Sequence, residues 1–125
     1  MSKYCISSWL LSVFVLLLVS ACSGFAPESP LLSAEPAEGS VETRLPRTLR
    51  LYFAELPDVS RSVVTLTGPA GELNLRGLHT MGANDLMMEI YDEVISGSYT
   101  VEWQTRFEGD TVQYSGSYRF SVQAE

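Results

Sequence analysis

Carboxylates, a single histidine and two cysteines are the side chains through which this chain could do ionic or nucleophilic chemistry. Glu108 and Asp110 flank Gly109 in the run Arg106-Phe107-Glu108-Gly109-Asp110-Thr111, which lies between two strongly alternating segments. A Glu-Gly-Asp core supplies turn formers and is too polar to continue a buried strand, so this run is a loop and the first place to look for a site. Asp58, Asp85, Asp92, Glu93, Glu108 and Asp110 offer hard oxygen donors of the kind Ca²⁺ takes, but they lack EF-hand spacing and read as a solvated acidic face. His79 with several serines and aspartates matches the composition of a hydrolytic triad. No nucleophile elbow accompanies them, and the chain is not expected to be an enzyme.

The cysteines point to the envelope. Lys3 precedes an apolar run from Trp9 to Val19, then Ser20, Ala21 and Cys22. This is the pattern of a secretory signal peptide over residues 1–21. At about 11 residues the run falls short of the roughly 20 that span a bilayer as a helix. Val19-Ser20-Ala21-Cys22 looks like the lipobox of bacterial lipoproteins, whose cysteine is acylated and becomes the first mature residue, so Cys22 is expected to carry a lipid and to attach the protein to a membrane. The alternative is ordinary cleavage near Ala21 that leaves a free thiol. Cys5 leaves with the signal, so the mature chain has no disulfide and no thiolate metal site. Without Lys3 the chain has 7 basic against 15 acidic residues, a balance of −8. Such a charge repels nucleic acid, and no nucleic-acid partner is expected.

Short strands must position whatever chemistry remains. Residues 22–30 carry two prolines and no periodicity, which reads as a lipidated N-terminus and extended tether. In residues 31–125, Leu31-Leu32 begins a brief strand, Leu49, Leu51 and Phe53 alternate with Arg50 and Tyr52, and Ser62–Thr67 is β-branched up to the Gly68-Pro69-Ala70-Gly71 turn. Leu73-Asn74-Leu75 leads off as another strand. Leu86, Met88 and Ile90 then alternate with Met87, Glu89 and Tyr91. The clearest pair is Gly97–Gln104 with Tyr114–Val122, in which Tyr99, Val101, Trp103, Tyr118, Phe120 and Val122 share the apolar faces of one hairpin. Trp103, Phe120, Tyr99 and Phe53 are the expected core, with an exposed recognition role for Trp103 as the alternative. No stretch has a helical stripe with caps at both ends. About seven short strands at this spacing predict an all-β fold, a small antiparallel sandwich or Greek-key barrel.

In order along the chain, Ser33-Ala34-Glu35-Pro36-Ala37-Glu38-Gly39, Pro46 before Leu49-Arg50-Leu51-Tyr52-Phe53, Gly97-Ser98-Tyr99-Thr100-Val101-Glu102-Trp103, and Gly116-Ser117-Tyr118-Arg119-Phe120-Ser121-Val122 resemble the successive motifs of the CopC family of periplasmic copper-resistance proteins. The resemblance runs over about residues 28 to 123. It implies an immunoglobulin-like sandwich that handles copper as a carrier or as an accessory to an envelope copper protein. It also implies a Cu(II) site made by a mature N-terminal histidine, with its amine, and by the Asp and His of an Asp-x-His loop, a nitrogen and oxygen set suited to tetragonal Cu(II). Here Asp110 matches the aspartate, Val112 stands where the histidine would be, and Glu28 falls near the place of the terminal histidine. The Cu(II) site is therefore degenerate.

A second family feature, a methionine-rich Cu(I) site, needs soft donors close together. His79, Met81, Met87 and Met88 are the candidates, and since Met87 and Met88 point to opposite faces of their strand, at most one of them joins His79 and Met81. The alternative is that Met88 fills core while the other three sit on a solvated loop and outer face. Two functions follow from this: copper handling, or a metal-free sandwich kept for protein–protein contact in an envelope assembly.

Overall fold

A computed structural model describes residues 29–124 of the chain. Alternating apolar and polar side chains make the strands. β1 (Leu31–Glu35), β2 (Val41–Glu42), β3 (Thr48–Phe53), β4 (Val63–Gly68), β5 (Gly71–Leu73), β6 (Leu75–His79), β7 (Asp85–Ile90), β8 (Gly97–Thr105) and β9 (Tyr114–Val122) follow in order, with a 3-10 turn at Val59–Arg61 before β4. They form two sheets, one of order β1-β3-β7-β6 and one of order β2-β9-β8-β4-β5. The long strands β3, β7, β8 and β9 show their large apolar residues to the facing sheet, which is the β-sandwich expected from the sequence.

The β8–β9 hairpin pairs without interruption from Gly97↔Val122 to Thr105↔Tyr114. Its inner face meets that of β3: the Phe53 ring sits edge-on to Trp103, centroids 5.3 Å apart at 75°, and Tyr99 stacks on Phe120 at 5.4 Å. Trp103 is only 2% exposed. It is a core anchor, and the recognition alternative falls away. The Tyr99 hydroxyl, buried with its ring, donates to the Ile95 carbonyl at 2.6 Å and accepts from the Ile95 N–H. The Tyr118 hydroxyl has no such partner among the described residues.

Nine strands replace the expected seven or so. Leu73-Asn74-Leu75 is not one strand: Leu73 ends β5 in one sheet and Leu75 begins β6 in the other, with Asn74 N–H donating to Asp92 Oδ2 at 2.7 Å where the chain crosses. Alternation at positions 73 and 75 cannot register that change of sheet, because both residues still point inward. The two-residue β2 was too short to show a period, and it pairs parallel to β9 through Val41↔Ser121 and Glu42↔Val122. That pair is an exception in an otherwise antiparallel fold.

Candidate metal centre

The hairpin β6–β7 brings soft donors together on the outer face of its sheet. Its register pairs Leu75 with Ile90 and Arg76 with Glu89, then skips to His79↔Met87. Gly77, at φ 69, takes up the irregularity, in a backbone region that costs a side-chain-bearing residue energy. As cross-strand partners, His79 and Met87 share a face. Met88, one residue on, points the other way and is 2% exposed in the core. His79 and Met87 line an open groove of about 440 Å³ with Arg47, Thr48, Arg76 and Glu89.

Met81, on the loop that joins the two strands, meets His79. Its sulfur lies 3.2 Å from His79 Nε2, while His79 Nδ1 bonds the Gly77 carbonyl. A carbonyl oxygen can only accept, so Nδ1 carries the proton in the neutral ring and Nε2 is left with a bare lone pair. Thioether sulfur has no proton to donate. In neutral His79 two lone pairs therefore face each other, one on nitrogen and one on sulfur.

The loop is held from below by Asp85. This residue is 0% exposed, which corrects the reading of it as part of a solvated acidic face. Its Oδ1 accepts from Thr80 Oγ1 at 2.8 Å and from the Met81 N–H at 3.1 Å, and its Oδ2 from Arg50 Nε at 2.9 Å. Burial pushes the carboxyl pKa up, but the bonds from Thr80, Met81 and Arg50, together with the Arg50 charge, outweigh that and hold it below its ordinary 3.8. Asn84 Nδ2 adds a bond to the Ala54 carbonyl at 3.2 Å. Sequence reasoning missed Asp85 because its type is that of a surface residue. A signal was present in its place at the head of an apolar strand, four residues after Met81.

Asp110 stands elsewhere, in the connection between β8 and β9. Its Oδ1 accepts from the Val112 N–H at 3.0 Å, closing a local turn, and the loop is tied to the segment after β3 by Glu108 N–H to the Leu56 carbonyl. The Val112 side chain is half exposed beside it. His79 is the only histidine in the chain, so Asp110 has no imidazole other than the one already held against Met81. Among the described residues no three His, Cys, Asp or Glu side chains gather where they could hold an ion. Cys22, the signal segment and Glu28 lie outside the described residues.

The model of the CopC domain family matches residues 31–123. Among solved structures, the methionine-rich copper resistance protein PcoC from Escherichia coli superposes with a TM-score of 0.68 at 23% identity, covering 77% of this chain and 100% of that one. Its selenomethionine form gives 0.68 at 24%, covering 78% and 100%. CopC from Methylosinus trichosporium OB3b gives 0.67 at 20%, covering 78% and 96%. A search of curated proteins finds no match.

Proposed function

This chain belongs to the CopC domain family, and from that premise we propose that it handles copper in the bacterial envelope as a carrier or accessory, taking the metal as Cu(I) at His79, Met81 and Met87. The observation that carries this reading is the facing pair of His79 Nε2 and Met81 Sδ at 3.2 Å. Cu(I) is soft and prefers few ligands, so imidazole and thioether donors suit it, and Met87 on the same face supplies a third. An open groove beside the pair leaves room for a donor lent by a partner, as a carrier needs. Cu(II) is not the cargo in this reading. Asp110 is the only matched ligand of the family's Cu(II) site, and one carboxylate does not hold that ion against water and competing ligands.

An acylated Cys22 would keep the domain on the periplasmic side of a membrane, where an envelope copper protein is the expected partner. The test is a titration of the soluble domain, made from Ser23 onward with no added N-terminal histidine, against chelators of known affinity for each oxidation state. Stoichiometric Cu(I) binding that His79→Ala abolishes is expected, with no tight Cu(II) binding. Tight Cu(II) capture overturns the reading, and failure to bind either ion favours a metal-free module for protein–protein contact.

A further inference from the structure

The chain between His79 and Asp85 is tied at its far end, where the Asn84 carbonyl accepts from Phe53 N–H at 2.7 Å and Asn84 Nδ2 donates to the Ala54 carbonyl, and Thr80 Oγ1 lies 2.9 Å from the Ala83 carbonyl; none of these bonds holds Met81. Thr80–Asn84 carries Gly82 at φ 85, and Met81 is 57% exposed on a side chain with three rotatable bonds. Left to itself, such a loop would spread the thioether over many positions, and a ligand that must be ordered at the moment of binding contributes less affinity. Yet the loop is also bound at Met81 itself. The Met81 N–H, on the same residue as the thioether, donates to a carboxylate with no exposed surface, and that carboxylate is held in turn by Arg50 of the neighbouring strand β3.

We infer that Asp85 is the positioning residue of this centre, clamping the 80–84 loop to β3 so that the Met81 sulfur stays against His79 Nε2. Asp85 touches no ligand atom; it acts through the backbone of Met81. The donors around it make the carboxylate specific. Met81 N–H faces one oxygen and Arg50 Nε–H the other, and neither can accept a hydrogen bond. Asparagine has the same shape, but its NH₂ must point at one of these donors whichever way the amide is turned. Asp85→Asn therefore opens the clamp without changing the volume of the site. Thr80 is the adaptable member, since its hydroxyl can donate or accept.

The effect on metal binding rests on the Cu(I) reading above, whereas the positioning itself is a property of the metal-free protein, so both are measured. In the metal-free domain, a nuclear Overhauser contact between the Met81 ε-methyl and the His79 ring is expected in the wild type. In Asp85→Asn it is expected to vanish while the Met88 methyl and Trp103 indole signals stay in place. Silver(I), a redox-inert soft ion, is the binding probe. Its affinity should fall about tenfold in Asp85→Asn, in the range seen when residues behind metal ligands are changed. In a Met81→Leu background the same change should move it less than about twofold, since there is no thioether left to position. A contact that survives in Asp85→Asn overturns the inference, as does an equal loss of silver affinity in both backgrounds. Should the wild type bind no silver, the Cu(I) reading fails and the methyl–ring contact alone decides on Asp85. If Asp85→Asn does not fold, Thr80→Val removes one of the donors to Oδ1; a weakened contact supports the clamp and an unchanged one overturns it.

Discussion

Trp103 and Gly116 are partners across the β8–β9 ladder, and a β-carbon on Gly116 would lie 2.6 Å from Trp103 Cζ2. The indole occupies the volume that a side chain on its cross-strand partner would fill. Gly116→Ala must therefore push the largest core residue aside, and overpacking of this kind destabilises by about 1–3 kcal/mol. A chemical-denaturation midpoint lowered with an unchanged slope is the expected result.

Removing the indole has the opposite geometry and a larger effect. Trp103→Ala leaves a hole beside Phe53 and should cost about 3–5 kcal/mol, a large share of the stability of a domain of this size. Denaturant titration checks it, and a loss under about 1 kcal/mol would contradict the burial of the ring.

Tyr118 offers a test with the reverse sign. Its ring is 4% exposed, burial drives its hydroxyl pKa well above the ordinary range, and the oxygen finds no partner among the described residues. A desolvated hydroxyl without a bond detracts from stability, so Tyr118→Phe should leave the domain unchanged or stabilise it by up to about 1 kcal/mol. Thermal unfolding of the two proteins side by side will show which.

The clamp at Asp85 has a pH signature. Its folded pKa lies below its ordinary 3.8, so folding favours the ionised form, and the resulting stability is fully present above the ordinary value and lost as pH falls through the folded one. The stability gap between wild type and Asp85→Asn should hold level from about pH 7 to about pH 5 and narrow below about pH 4. A gap that grows on acidification would mean the carboxyl is protonated in the native protein.

Cys22→Ser tests the anchor. Acyl chains contribute about 0.8 kcal/mol per buried CH₂, so two or more of them hold a protein stably at a bilayer. The variant should move from the membrane to the soluble fraction and lose acyl mass in an intact-mass spectrum. Unchanged fractionation with no acyl mass in the wild type removes the lipid from the picture.

Much of the fold was legible because half-buried strands announce themselves by period. Tyr99, Val101 and Trp103 on β8, and Tyr118, Phe120 and Val122 on β9, all point inward as their alternation requires. The opposed directions of Met87 and Met88 followed from the same rule. What stayed hidden depends on contacts distant in sequence or on changes that preserve period. Asn74 passes the chain between sheets while Leu73 and Leu75 both keep facing the interior. Asp85 has the chemistry of a surface residue, and its burial is met in part by Arg50, 35 positions earlier, beside the nearby Thr80 and Met81 donors. The approach of Met81 to His79 depends on a loop conformation that spacing alone does not specify.

The hairpin that carries these side chains has a consequence for inheritance. His79, Met81, Asp85 and Met87 fall within nine consecutive positions of the chain. The Cu(II) site implied by the family resemblance draws instead on a chain terminus and a loop some eighty residues away, near Glu28 and Asp110 in this numbering. A soft-donor set written in one short stretch can be gained, lost or exchanged by a single local event, while a set assembled across the whole chain erodes one member at a time. The stretch from Leu75 to Ile90 carries all these donors, and it leans on one neighbouring strand, β3, through the β3–β7 ladder, through Arg50, and through the bonds of Asn84 to Phe53 and Ala54. Transplanted into a related sandwich that already offers an arginine at the facing strand position, it should bring its paired lone pairs with it.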